Sequence, residues 1–300
     1  MSRAIVFPGQ GSQIVGMAKD FFENFSETSD LFKKANDVLN YDLGEVCFYG
    51  PQEKLNLSNF AQLGIFVSSI AFYNALIARN QKLEINYYAG HSLGEWTALN
   101  AAKYLSFEDT LKILEARGRF MQEACSLNTG AMIAVMNLDF QKLEEIALDA
   151  ECSIANYNSL QQIVLSGDIN SIEKAEKLAI ASGAKRVVRL PVAGAFHSPL
   201  MISAAEKMED FISNIEFTNS NNSVLSNVTG YIHNFEEIKE KMVEQITSSV
   251  KWVQIIKNLS ERGVTEIIEC GPGRVLSGLI KRIDKTIEVR NINSISDILD

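Results

Sequence analysis

The stretch INYYAGHSLGEWTAL, residues 85–99, decides how this chain reads. Its opening, INYYAG (85–90), is short, apolar and aromatic, as a buried strand is. From Leu93 onward, LGEWTAL reads as a helix that begins at once. Between them, Gly90-His91-Ser92-Leu93-Gly94 sets a serine between two glycines at a spacing of two. Strand, sharp turn and helix in succession form the setting in which a serine hydroxyl is held up as a nucleophile. That setting predicts an α/β fold with a mostly parallel sheet, like that of the α/β-hydrolases.

Working outward, RAIVFP (3–8) is a second buried strand, ended by Pro8 and the Gly-rich turn that contains Gln10. IFVSSIAFYNALIAR (65–79) reads as a buried helix. The middle changes character. GAMIAVMNL, DFQKLEEIALDA, ECSIANYN, QQIVLSG, INSIEKAEKLAIASG and AKRVVRLPV alternate as strand, helix, strand, strand, helix, strand. That βαββαβ order predicts a small ferredoxin-like subdomain at 127–195, inserted into a large α/β catalytic domain made of 1–126 and 196–300. A helical stretch near 235–246, the segment WVQIIKNLSERG and the strand TEIIECGPG return the chain to the large domain.

Composition narrows the function. With 300 residues, 46% hydrophobic and 22% charged, the chain can bury a sizeable core. The opening MSRAIVFPGQGSQ lacks a basic-then-apolar leader, and no apolar run approaches the roughly 20 residues of a membrane span. The expectation is a soluble cytoplasmic protein with no membrane partner. Cys47, Cys125, Cys152 and Cys270 are scattered without a C-x-x-C pair, so free thiols are expected, with no disulfide framework and no metal site. A net charge of −9 argues against nucleic acid as a partner.

A serine hydroxyl needs a base, usually histidine, and this chain has three. His91 adjoins Ser92 and reads as a turn residue. His233, in GYIHNFEE, reads as solvated. His197, in PVAGAFHSPLM, follows small residues and lies where the inserted subdomain hands back to the main body, so it is the expected base. No Asp or Glu near it stands out as a third member. A Ser–His dyad oriented by a backbone carbonyl or an amide side chain fits better than a triad. On the helix FEDTLKILEARGRFMQEAC (107–125), Arg117 has only Ile113, Leu114, Phe120 and Met121 at i±3 and i±4. A buried arginine needs a carboxylate. A distant Asp or Glu is the plainer source. The sharper one is a carboxylate that arrives with a substrate, gripped by two parallel hydrogen bonds.

The ordered set FPGQGSQ (7–13), GHSLGEWTAL, EARGRFMQEA, GAMIAVM, IANYNS, GAFHSPLM, SNVTG, QITSSVKW and ECGPGRVLSGLIKR resembles the malonyl-CoA:acyl carrier protein transacylases of fatty acid synthesis and the related polyketide acyltransferases. The resemblance covers nearly the whole chain. It implies that Ser92 is acylated from malonyl-CoA, with His197 as acid/base and Arg117 on the malonyl carboxylate. Gln10 and the backbone N–H of Leu93 would line the oxyanion hole, and Gln245 would orient the histidine through its carbonyl. It further implies no cofactor or metal, acyl carrier protein as partner, and a monomer. GAFHS is the form associated with malonyl selection. Three positions depart from the family pattern: Ala61-Gln62-Leu63 for T-Q-P, Leu160 for a proline, and Ser249 for a proline before V-x-W. A polyketide acyltransferase, a thioester hydrolase and a non-catalytic docking protein are the alternatives. Arg117 speaks against the hydrolase, and intact Ser92, His197 and Arg117 speak against the docking protein. An acidic carrier would need a basic patch, for which Lys185, Arg186 and Arg189, or Lys281, Arg282 and Lys285, are the candidates.

Overall fold

The computed structural model describes residues 2–298. In chain order the elements are β1 (Ser2–Phe7), α1 (Lys19–Asn24), α2 (Ser26–Leu39), α3 (Leu43–Tyr49), α4 (Gln52–Leu55), α5 (Ser58–Arg79), β2 (Tyr87–Gly90), α6 (Leu93–Ala101) and α7 (Phe107–Leu127). There follow β3 (Gly130–Met136), α8 (Phe140–Asp149), β4 (Ser153–Ser159), β5 (Gln162–Asp168), α9 (Ile169–Ala181), β6 (Arg186–Arg189) and α10 (Ile202–Ser213). The last are β7 (Ser223–Val224), α11 (Ile238–Glu244), α12 (Trp252–Glu261), β8 (Val264–Cys270), α13 (Val275–Ile283) and β9 (Glu288–Ile292).

Contacts divide the chain into two units. The first comprises residues 1–118, 215–225 and 258–300. It holds a five-stranded sheet in the order β7-β2-β1-β8-β9, parallel throughout. The central strands are the buried ones: β1 carries the apolar run Ala4–Phe7, and β8 is buried at every position but Thr265, as a parallel sheet covered on both faces requires. At the end of β8 the buried Glu269 accepts the N–H groups of Leu276 (3.0 Å) and Ser277 (2.8 Å), capping the first turn of α13.

Helix α5 begins at Ser58 rather than at residue 65, so Gln62 lies inside it. It also corrects the expectation that no run is long enough to span a membrane. With 22 residues α5 meets that test by length and composition. Yet 78% of its most apolar stretch is buried inside the protein, which is how a core helix satisfies the same pattern. Helices α1 to α4, α10 and α13 and strands β7 and β9 are not anticipated from the sequence.

The second unit comprises residues 119–214 and 226–257, so the segment 127–195 lies within it. Its sheet has the order β4-β5-β3-β6 with every neighbour antiparallel, the ferredoxin-like arrangement expected from the βαββαβ order. Ile133, Val135, Ile163 and Leu165 of the sheet pack with Leu143 and Ile146 of α8 and Ile172 of α9 to form its core.

Candidate active site

The turn after β2 is a place where backbone crosses backbone. A Cβ on Gly90 would stand 1.9 Å from the carbonyl of Gly94, and one on Gly94 would stand 2.2 Å from the Phe7 carbonyl oxygen. Only glycine fits at either position. Ser92 between them adopts φ 54°, ψ −110°, a strained backbone for a side-chain-bearing residue. Its hydroxyl makes no capping bond to α6. The Gly-rich turn after β1 closes on this elbow: a Cβ on Gly9 would stand 2.6 Å from the His91 carbonyl oxygen. His91 behaves as the turn residue expected, its N–H donating to Phe7 O at 3.0 Å. In the same turn Gln10 donates through Nε2 to Ser58 Oγ at 3.2 Å. Leu93 is the first residue of α6, where a backbone N–H has no intrahelical acceptor.

Arg117 is 1% exposed, as its apolar helix neighbours predict. Its partners come from other elements. Nη1 donates to Gln62 Oε1 of α5 at 2.7 Å, and Nη2 donates to Ser92 Oγ at 3.1 Å. Burial pushes the guanidinium down to about 10, and the carboxylate of Glu95, itself buried in α6, opposes that shift. Arg117 therefore remains a cation at neutral pH, beside the hydroxyl that would carry an acyl group. Neither Gln62 nor Glu95 was singled out in this role from the sequence.

In the second unit, His197 is 4% exposed and sits at φ 56°. Its Nδ1 lies 2.8 Å from the Gln245 carbonyl oxygen and 3.1 Å from that of Ser248. Carbonyls only accept, so Nδ1 carries the proton and Nε2 is left with a lone pair, the tautomer a general base needs. Ser248 was missed by sequence reasoning. The loop that presents these carbonyls is tied to edge strand β4: Tyr157 N–H donates to Val250 O (2.9 Å), Val250 N–H donates to Ala155 O (2.8 Å), and Ser249 Oγ donates to Ile154 O. Ser249 thus anchors the loop through its hydroxyl. A cavity of about 510 Å³ in this unit is lined by His197, Ser248, Tyr157 and Lys251. His233 is half-buried, not solvated as expected.

Ser92, Leu93, Gln10 and Arg117 thus gather in the first unit, and His197 and Gln245 in the second. No rival thiol nucleophile is activated. Burial pushes Cys47 up to about 12 and Cys125 and Cys152 up to about 11, and raises Cys270. All four are free thiols, as expected. Among the described residues, no group of three or more His, Cys, Asp or Glu side chains is placed to hold a metal ion.

The acyl transferase domain family matches residues 4–295 of the chain. The malonyl CoA-acyl carrier protein transacylase of Bacillus subtilis is 38% identical over 291 residues, covering 95% of this chain and 91% of that protein. The malonyl CoA-acyl carrier protein transacylase of Coxiella burnetii superposes with a TM-score of 0.96 at 36% identity, covering 100% of this chain and 96% of that one. A malonyl-transacylase solved in complex with its type II polyketide acyl-carrier protein gives a TM-score of 0.95 at 35% identity, covering 100% of this chain and 98% of that one. The chain belongs to the acyl transferase domain family, within which its close relatives are the malonyl CoA-acyl carrier protein transacylases.

Proposed function

We propose that this enzyme transfers the malonyl group of malonyl-CoA to the phosphopantetheine thiol of an acyl carrier protein, through a malonyl-serine intermediate. The observation that carries the reading is the Arg117 guanidinium donating to Ser92 Oγ at 3.1 Å. A buried cation beside the nucleophile suits an acyl group that ends in a carboxylate, and a plain ester or thioester hydrolase has no use for it.

Ser92 Oγ attacks the thioester carbonyl while His197 Nε2 takes its proton. The tetrahedral oxyanion receives the N–H groups of Gln10 and Leu93, donors of a kind each worth about 2.7–4 kcal/mol. Collapse expels coenzyme A, whose sulfur takes the proton from His197. The carrier thiol then gives its proton to His197 and attacks the ester, and Ser92 leaves with that proton. The Gln245 and Ser248 carbonyls hold His197 in the tautomer both halves require. No step calls for a metal or redox cofactor. The reading keeps 127–195 as an inserted subdomain of a monomeric cytoplasmic enzyme that supplies fatty acid synthesis. A polyketide carrier as acceptor would change only the second half-reaction, and the structural relative bound to such a carrier protein keeps that reading open.

Intact-mass spectrometry tests the scheme. Wild-type protein mixed with malonyl-CoA gains one malonyl adduct and loses it to added carrier protein. Ser92→Ala gains none. A malonyl adduct on Ser92→Ala would remove Ser92 as the nucleophile.

A further inference from the structure

We infer that Gln62 is a positioning residue for acyl selection: its side-chain carbonyl fixes one nitrogen of the Arg117 fork so that the other faces the acyl group on Ser92. The inference rests on the proposed role of Arg117. Gln62 is 0% exposed on α5, and its Oε1 accepts from Arg117 Nη1 at 2.7 Å, a shorter contact than the fork makes with the serine. The longer one, at 3.1 Å, goes to Ser92 Oγ.

The guanidinium is planar, so fixing Nη1 fixes the plane and the direction in which Nη2 points. Gln62 is neutral. It orients the cation without placing a second carboxylate beside that of Glu95, so it does not compete with a substrate carboxylate for the charge. A glutamate at this position would form a permanent ion pair instead, and the incoming carboxylate would have to compete with it. The location on a buried helix matters as well. Ala61, Leu63, Ile65 and Phe66 around it are all 0% exposed, so Gln62 cannot follow a wandering guanidinium. Loss of a carboxylate-bearing substrate's grip, with lesser loss for an acyl group that has none, is what a positioning role requires. A merely structural role would lower both together.

Steady-state kinetics with malonyl-CoA and acetyl-CoA, for Gln62→Leu and Gln62→Glu, tests this, with thermal midpoints measured alongside. Gln62→Leu should raise KM for malonyl-CoA about 10- to 100-fold, the range for losing a hydrogen bond to a charged group. Its loss with malonyl-CoA should exceed its loss with acetyl-CoA by at least about tenfold. Gln62→Glu should discriminate against malonyl-CoA at least as strongly, and it keeps the test alive should the leucine variant fail to fold. In an Arg117→Ala background, Gln62→Leu should add almost nothing to the malonyl defect, because the two residues act as one unit. Equal losses for the two thioesters, or additive losses in the double variant, would overturn the positioning role. If Arg117→Ala itself failed to separate malonyl from acetyl, the fault would lie with the assignment of Arg117 and not with Gln62 alone.

Discussion

Ser92 holds φ 54° because Gly90 and Gly94 let the backbone pass itself within a distance no side chain tolerates. That requirement is local, which is why the serine was legible from the sequence. Arg117 was legible for a different reason, as a charge placed on an apolar stripe. Its partners were not. Gln62 lies 55 residues away and the Ser248 carbonyl 51 residues from His197, and no local pattern reports contacts at such separations. His197→Ala should lower the transfer rate by about 10²–10⁴, the usual span for a positioned acid/base. His233→Ala should have a far smaller effect, and if His233 proved the more sensitive of the two, the dyad would need a different base. Arg117→Ala should shift substrate preference more than it stops turnover, because malonyl loses a charge-assisted contact that acetyl never makes. Single-turnover acylation by the two thioesters reads the shift, and equal losses would make Arg117 a structural cation.

Helix α5 shows what an element's pattern can and cannot say. Its interior was evident as an apolar run, but its start was not, because Ser58 and Gln62 are polar and yet buried there. The same ambiguity let a core helix pass as long and apolar enough for a bilayer. Helices α1, α3 and α4 are short, and α2, with 14 residues, buries only Thr28, Phe32 and Ala35, too sparse a stripe to stand out. Strand β9, EVRNI, is an edge strand carrying charge, so it lacks the apolar signature of β1 and β8. In the second unit the periods of strands and helices were clean, and the whole βαββαβ order could be read. The core role of α5 can be measured. Phe66 is 0% exposed and stacks on Phe107 with ring centroids 5.2 Å apart. Phe66→Ala should lower unfolding free energy by about 3–5 kcal/mol, the range for deleting a buried aromatic. Denaturant melts would read it, and a change under about 1 kcal/mol would mean the site collapses around the lost ring.

Over the whole molecule, charge poses a problem for the proposed partner. The chain carries −9, and a carrier protein that is also acidic must find a local basic face to dock. Each unit offers one cluster. In the second, Arg189 is already engaged by Glu173 (3.3 Å) and Glu176 (3.4 Å) of α9, which leaves Lys185 and Arg186 exposed. In the first, Lys281, Arg282 and Lys285 are all exposed and form no ion pair among the described residues. Asp284 between them is spent on Ser260 and Thr286, whose hydrogen bonds hold its carboxyl below the usual range. The α13 cluster therefore presents the fuller positive field. Reversing Lys281, Arg282 and Lys285 to glutamate should raise KM for carrier protein about tenfold at low salt and less near 0.15 M, where the screening length falls to about 8 Å. Reversing Lys185 and Arg186 should have the smaller effect. Lys281 and Arg282 also sit in the last turn of α13, where positive charge favours the helix by about 0.3–1 kcal/mol each, so stability must be measured on the same variants. Acylation of Ser92 by malonyl-CoA should change little, since that half-reaction does not involve the carrier. If both reversals left carrier kinetics untouched at low salt, docking would have to rest on apolar contacts, and basic recognition of the carrier would be excluded for these two faces.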